Sequence, residues 1–163
     1  MSLIVGTNTY LSIADADSYW SERNNAIWAA ADDADKEKAL REATQYIDGA
    51  FTFIGHITEI DQKLAWPRSS VIIKHGNFRG QDIDTDVIPE KVEQATAELA
   101  LEALSARLVP AENRGGKIKR EKVDVIEVEY LDWAPSGKTF EFVSMLLRPF
   151  TIGSKSQVKL MRT

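Results

Sequence analysis

The sequence predicts a mainly helical α+β protein: a small helical bundle with a β-hairpin or bulged-strand extension and a C-terminal tail. Four segments place apolar residues at the spacing of an amphipathic helix, at about 12–24, 33–50, 89–108 and 139–148. A fifth segment, about 118–131, alternates apolar and charged residues as a strand does. Since 163 residues, 44% of them hydrophobic, suffice for one core, we expect residues 1–163 to form a single domain.

The first two predicted helices have recognisable beginnings. Ser12 can cap the first helix, with Asp15 three residues later in the pattern of a capping box. The second helix begins near Asp33, with acids in its first turn, where the helix dipole favours negative charge. Its apolar residues recur at helical spacing: Leu40, Ala43, Ile47 and Phe51. Each helix is therefore expected to bury one face.

The third predicted helix is apolar on two sides. It opens at Pro89, a residue favoured in a first turn, and stops before Pro110. One stripe consists of Val92, Ala95, Leu99, Ala103 and Ala106. The second stripe consists of Ala97, Leu101, Leu104 and Leu108. A helix with two apolar stripes packs between two surfaces, so we predict the second stripe as a candidate subunit interface.

The rest of the chain is less regular. Residues 54–87 carry only short β-branched pieces, and a connection of this length predicts a long arm or a functional loop. In the strand region, Val123 and Val125 alternate on one face, whereas Ile126 and Val128 alternate on the other. This slip of one residue predicts a β-bulge or a bend between two pieces of strand. The tail, residues 151–163, is expected to be partly extended.

The composition argues against an enzyme. The chain has no cysteine, which excludes disulfides and thiolate chemistry. Its two histidines, His56 and His75, belong to no metal-ligand pattern. No phosphate-binding GxxxxGK[ST] motif, GxGxxG motif or GxSxG motif is present. We therefore predict no catalytic residue, no metal and no cofactor. No apolar run approaches the roughly 20 residues of a membrane span, so a soluble cytoplasmic protein without a membrane partner is expected.

One acidic run resembles the start of a calcium loop. Asp82–Asp86 has the alternating acids of such a loop, and Glu93 falls at its twelfth position. However, Val87 stands where the loop needs glycine, and Pro89 opens a helix inside it. We interpret these acids as preceding a helix N-terminus rather than as a calcium site.

Charge is unevenly distributed along the chain. Residues 1–109 carry 18 acids and 10 bases, a net charge of −8, while residues 110–163 carry 7 acids and 10 bases, a net charge of +3. A chain this acidic is not typical of a protein that grips a phosphate backbone.

A basic cluster close to two aromatic residues, Tyr130 and Trp133, supplies the candidate nucleic-acid contacts: Lys117, Lys119, Arg120 and Lys122. Acids are interleaved with these bases along the same strand region: Glu121, Asp124, Glu127 and Glu129. Interleaved charges of both signs are more typical of a solvated strand face or a protected edge, and we favour that interpretation. Trp20, Trp28 and Trp66 lie among apolar neighbours and are expected to be core or interface anchors rather than a stacking platform.

A resemblance covers nearly the whole chain. It is carried by Tyr19–Arg23, Trp28, the helix Lys38–Asp48, the run Leu64-Ala65-Trp66-Pro67-Arg68, and Ile88-Pro89 leading into Glu98-Leu99-Ala100; Val128–Tyr130 and Val143–Phe150 complete it. The order of these motifs resembles the head–tail connector proteins of tailed phages, also called head completion, neck or adaptor proteins. That family is often labelled DnaT-like and single-stranded-DNA-binding. The motif positions are Trp20, Trp28, Leu64, Ala65, Trp66, Pro67, Arg68, Ile88 and Pro89.

The resemblance implies a structural role without catalytic residues. Copies of such a protein form a homo-oligomeric ring, which docks on the portal protein, contacts tail or stopper proteins, and continues the channel for double-stranded DNA without sequence-specific binding. The implied location is the host bacterial cytoplasm during assembly and then the virion neck. The alternative is a DnaT-like single-stranded-DNA-binding replication protein, as the family label states.

Overall fold

The computed structural model describes residues 2–73, 76–77, 79–109, 120–123, 126–129 and 139–152. Its helices are α1 (Ile13–Glu22), α2 (Ala26–Ala30), α3 (Asp33–Ala50), α4 (Glu90–Ser105) and α5 (Glu141–Leu147), and a 3₁₀ turn, Arg148–Phe150, follows α5. The strands form antiparallel pairs: β1 (His56–Ile57) with β2 (Arg68–Ser69), β3 (Val71–Ile72) with β4 (Asp82–Ile83), and β5 (Arg120–Val123) with β6 (Ile126–Glu129). The predicted α+β, mainly helical class is confirmed.

The chain divides into two compact units, residues 1–108 with 140–163 and residues 109–139. In the first unit, which we call the body, α3 packs along α4, α5 packs on α4, and α1 contacts α2, α3 and α4. In the second unit the structure describes chiefly the β5–β6 hairpin. That residues 1–163 fold as one domain stays a prediction. No helix in the described ranges is long and apolar enough to cross a bilayer.

Side-chain caps fix the start of the first three helices. The Ser12 hydroxyl accepts a hydrogen bond from the Asp15 amide (3.1 Å), and the Asp32 carboxylate accepts one from the Asp35 amide (2.8 Å). Such caps satisfy amides that have no partner within the helix. Helix α3 spans the residues that the sequence predicts, 33–50. The predicted helix at 12–24 ends earlier, at Glu22.

Helix α2 was not predicted. It has only five residues, which is too short for an apolar periodicity to be read. Asn24 adopts a left-handed conformation (φ 49°) that ends the preceding turn. The Asn25 side chain then accepts hydrogen bonds from the amides of Ile27 (3.0 Å) and Trp28 (3.1 Å) and starts the new helix. An Asn N-cap is the local signal that was available.

Helix α4 is shorter than predicted. It ends at Ser105, not near residue 108, because Ala106 is extended (φ −163°, ψ 156°). The Leu108 amide instead donates to the Glu42 carboxylate of α3 (2.8 Å), and the Leu108 side chain is buried. Pro89 is the N-cap of α4 rather than a first-turn residue.

The described part of residues 54–87 contributes several side chains to the core. Trp66, Val71 and Ile73 are buried in the same core as the helices. Gly55 has a positive φ of 77°, and a Cβ at this position would collide with the Ser69 carbonyl oxygen. The sequence predicts an arm or a loop here. The structure agrees with a packed loop, because the Trp66 side chain of this segment is buried in the core.

The hairpin explains the apparent slip in the strand pattern. Strands β5 and β6 are antiparallel, with Val123 paired with Ile126 and Glu121 paired with Val128. Apolar alternation restarts because the chain reverses, so the hairpin alternative describes this region and a bulge does not. Residues 124, 125 and 130 lie outside the described residues.

The beginning of the predicted tail closes on the body. Thr151 forms an antiparallel bridge with Phe53, and the Ile152 amide donates to the Thr52 carbonyl (2.8 Å). The chain is thus attached immediately beyond the C-terminal end of α3, whose cap is Phe51. Residues 153–163 lie outside the described residues.

Candidate functional site

The Arg68 side chain is a cross-link between backbone segments. Its Nε donates to the Ile54 carbonyl (2.8 Å) and its Nη1 to the Ala65 carbonyl (3.1 Å). Its Nη2 donates to the carbonyls of Gly55 (2.8 Å) and Phe53 (3.4 Å). Burial lowers the pKa of the guanidinium from its usual value, an effect that the nearby Asp48 carboxylate opposes. These four hydrogen bonds are made inside the fold, so the donors that form them are not available to an external phosphate.

A tyrosine–carboxylate pair lies beside Arg68. The Tyr10 hydroxyl donates to the Asp48 carboxylate, whose second oxygen accepts from the Ala65 amide (3.1 Å). The Tyr10 oxygen accepts from the Trp66 amide (3.3 Å). Burial raises the pKa of Asp48 above its usual range, and burial together with the Asp48 charge raises the pKa of Tyr10. The pair joins the N-terminal segment, α3 and the motif at residues 64–68.

Trp66 is the centre of an aromatic cluster. The side chain is fully buried, and its ring lies edge-to-face with Phe53 (5.5 Å between centroids) and Phe150 (5.7 Å). The Trp66–Pro67 peptide is cis. The Gln62 side-chain amide donates to the carbonyls of Leu64 (2.6 Å) and Pro67 (3.0 Å) and holds the motif from its other side. The run Leu64-Ala65-Trp66-Pro67-Arg68 therefore belongs to the core of the body.

A second polar network joins α1, α2 and α3. The Trp28 indole N–H donates to Asp17 (2.7 Å), and the same carboxylate oxygen receives the Lys36 ammonium (2.9 Å). Lys36 is buried, and its Nζ lies 5.6 Å from the centroid of the Trp28 ring. Trp20 is buried against Trp28, with 6.5 Å between ring centroids. Of the two alternatives, core or interface anchor, the described tryptophans are core anchors.

Removing the charge of Asp17 is expected to destabilise the body. Asp17→Asn keeps an acceptor for the Trp28 indole but leaves the Lys36 ammonium buried without a counter-ion. Because Asp17 is about half exposed and partly screened, we expect a loss of about 1–2 kcal/mol in the free energy of unfolding. Urea unfolding followed by circular dichroism measures the loss.

The double variant Asp17→Asn/Lys36→Met is the informative comparison, because it removes both charges and should recover most of the loss. Asp86→Asn, at an exposed position, is the control and should change stability little. A double variant less stable than Asp17→Asn would contradict the interpretation.

Glu93, in the first turn of α4, is influenced by the negative charges of two other carboxylates, Asp15 of α1 and Glu90 of α4. Glu93 is half-buried, and burial raises its pKa, with further contributions from the charges of Asp15 and Glu90. In the described residues no group of three or more His, Asp or Glu side chains is arranged to hold a metal ion. Asp82, at the start of the calcium-like run, belongs to strand β4.

Glu93→Gln is expected to stabilise the body above the raised pKa of Glu93. Below the ordinary pKa of 4.5 the carboxyl is protonated in both folded and unfolded chains, so the variant gains nothing there. As the pH rises through the raised pKa, the folded chain binds more protons than the unfolded chain and loses stability. Melting temperatures at pH 4 to 8 should therefore differ little at the acidic end and favour Glu93→Gln at the neutral end. An equal difference at every pH, or the same profile for the exposed control Glu59→Gln, would contradict this.

The predicted subunit stripe is only partly accessible. Ala97 is fully buried and Leu108 is 4% exposed, so both belong to the core of their own chain. Leu101 and Leu104 are partly buried at the edge of that core. A second subunit cannot touch Ala97 or Leu108, because both side chains are buried within their own chain. For Leu101 and Leu104 the interface stays a prediction.

The candidate nucleic-acid residues belong to the second unit. Lys117 and Lys119 lie outside the described residues. Arg120 and Lys122 are in β5, where the register pairs Arg120 with Glu129 and Lys122 with Glu127. Of the two histidines, His56 lies in β1 and His75 is outside the described part.

The comparison with known families decides the family. A family model described as "Putative DnaT-like ssDNA binding protein" matches residues 2–163. The chain belongs to this family. No curated protein and no solved structure matches the chain.

In this member of the DnaT-like family the described motif residues are structural. Trp20, Trp28 and Trp66 are buried, Arg68 binds carbonyls, and Pro89 is buried at the N-cap position of α4. The remaining motif residues, Leu64, Ala65, Pro67 and Ile88, are partly buried. Sequence reasoning missed both polar networks, because their partners are far apart in the chain. An aspartate on the apolar side of a helix, such as Asp17 next to Ala16, was the only local signal.

Proposed function

We propose that the protein is a structural subunit of a phage or prophage head–tail connector ring, which docks on the portal and continues the DNA channel to the tail. The observation that carries this proposal is the excess of acids over bases in residues 1–109. Residues 1–109 have a net charge of −8, and two of their cations, Lys36 and Arg68, are bound internally. The acids therefore dominate the surface of this part, which repels phosphates and suits a channel that conducts DNA without holding it.

Exposed apolar side chains support an assembly role. Ile60 is 99% exposed, Met145 69%, Ile27 61% and Phe142 54%. Neighbouring exposed apolar side chains mark surfaces that another chain covers, and Phe142 and Met145 stand three residues apart on α5. A subunit that contacts portal, neighbours and tail or stopper proteins needs several such contacts on different sides.

The proposal includes the partners and location that the resemblance implies. Copies of the chain would surround double-stranded DNA without sequence-specific contacts. They would assemble in the host bacterial cytoplasm and remain in the virion neck.

The decisive experiment adds purified protein to DNA-filled heads that carry a portal and lack a tail. We expect it to co-sediment with the heads and to appear as a ring at the portal in electron micrographs. Tailless heads without a portal are the matched control and should bind none. Protein that stays in the supernatant with portal-bearing heads would overturn the proposal.

A second candidate function is single-stranded-DNA binding in replication. The family description favours it, as does the basic cluster Lys117, Lys119, Arg120 and Lys122 with Tyr130 and Trp133. It requires micromolar or tighter binding of a labelled oligonucleotide, with a steep salt dependence. Lys119→Glu/Arg120→Glu should then weaken binding, whereas Lys63→Glu/Arg79→Glu in the body should not. An oligonucleotide that stays unbound at low salt excludes this function.

A further inference from the structure

The short helix α2 presents an apolar face that nothing in the described body covers. Trp28 alone is turned inward, while Ala26, Ile27, Ala29 and Ala30 are exposed. We call these four residues the α2 face. Ile27, with 61% of its surface exposed, is its largest member. An apolar helix face of this kind is stabilised when another chain covers it.

The surroundings of the α2 face are acidic. Asp32, Asp33 and Asp35 are exposed at the start of α3, immediately after α2. Asp32 caps α3, and Asp35 pairs with Lys38, so part of this charge already serves the helix. Lys36 does not neutralise the remainder at the surface, because it is buried against Asp17. A partner for this face therefore needs apolar side chains interspersed with bases.

Residues 153–163 of the same sequence have this composition. They contain Lys155, Lys159 and Arg162 and no acid, and three apolar residues stand among these bases: Val158, Leu160 and Met161. Their charge complements that of the exposed aspartates beside α2.

Chain length decides which copy supplies this segment. Ile152 is bonded to Thr52 at the C-terminal end of α3, whereas the α2 face lies at the N-terminal end. The 18 residues of α3 separate these ends by about 27 Å, at about 1.5 Å per residue. A fully extended chain advances about 3.3–3.6 Å per residue, so about eight residues would be consumed in crossing that distance. Too few of residues 153–163 would then remain to cover the α2 face of their own chain.

We propose that residues 153–163 of one copy bind the α2 face and the adjacent aspartates of a second copy. The contact joins opposite ends of two identical bodies, which makes it a heterologous contact of the type that closes into rings. This inference rests on the proposed function, because repeated contacts of this type would build the ring.

A labelled peptide with the sequence of residues 153–163 tests the contact. Titrated with the full chain and followed by fluorescence anisotropy, it should bind with a Kd of about 10–100 μM. Binding should weaken between about 0.05 M and 0.5 M salt, since the charges involved are exposed. A scrambled peptide of the same composition should bind at least tenfold more weakly. Equal binding of the two peptides, or no binding, would overturn the proposal.

Variants then locate the binding surface. Ile27→Ser/Asp33→Lys changes two exposed residues and should weaken peptide binding at least tenfold. Ile60→Ser/Asp61→Lys makes the matched changes at another exposed position and should leave binding unchanged. If both variants bind the peptide equally, the α2 face is not the site. Thermal melts establish that both are folded, and a Lys159→Glu/Arg162→Glu peptide with the unaltered protein tests the charges independently.

Failure here is distinguishable from failure of the proposed function. Protein that assembles at the portal but does not bind the peptide retains the proposed function and loses this contact. Protein that binds the peptide through the α2 face but never joins a portal retains the contact and loses the connector role.

Discussion

Trp66→Ala is expected to lower the free energy of unfolding by about 3–5 kcal/mol, the range found when large aromatic side chains are removed from a core. The ring is fully buried and contacts Phe53 and Phe150, which come from segments far apart in the sequence. Its loss leaves a cavity that these rings cannot fill, because Thr151 and Ile152 hold the Phe150 segment to residues 52 and 53. Urea or thermal unfolding measures the change.

The matched control is Phe142→Ala, which truncates a ring that is 54% exposed. This variant should lower the free energy of unfolding much less than Trp66→Ala does, since most of the Phe142 ring already contacts water. If Trp66→Ala costs no more than Phe142→Ala, the description of Trp66 as the centre of the core is wrong.

Arg68→Ala is expected to lower the free energy of unfolding by about 3–4 kcal/mol, because four carbonyl oxygens lose a charged donor together. Arg68→Lys should recover little of this. An ammonium keeps the charge but lacks the planar fork that reaches residues 53–55 and Ala65 at once. Unfolding in urea gives both free energies.

Arg79→Ala, at an exposed position, is the control and should fall within about 0.5 kcal/mol of the unaltered chain. A lysine variant as stable as the unaltered chain would show that charge alone matters at position 68. In that case the carbonyl contacts would contribute little.

Local signals predicted much of the helical part. The acids at the start of α3 and the spacing of Leu40, Ala43 and Ile47 depend only on neighbouring residues, so the sequence was sufficient for the bounds of α3. Helix α4 was extended too far because apolar spacing continues to Leu108 after the backbone has left the helix. The spacing of apolar residues indicates burial rather than helix. Leu108 is indeed buried, but it lies in an extended segment whose backbone is hydrogen-bonded to Glu42.

The candidate site was harder to predict, for a physical reason. Tyr10, Asp48 and Ala65 meet across separations of 38 and 17 residues, which no local pattern encodes. The resemblance marked the run at 64–68, but only the structure shows that Arg68 binds carbonyls. The apolar stripe on α4 could not distinguish a subunit interface from a core formed with α3 and α5, which both contact α4.

The position of the second unit in the chain affects how the protein can vary. Residues 109–139 leave the body after α4 and return just before α5, which packs on α4. The body is therefore formed by the chain before and after this insertion. Backbone hydrogen bonds of residues 150–152 join the second of these parts to the first. Changes of length between α4 and α5 need not disturb the core. Natural or engineered relatives should accordingly differ most in the size of this insertion, while the residues that hold the body stay in place.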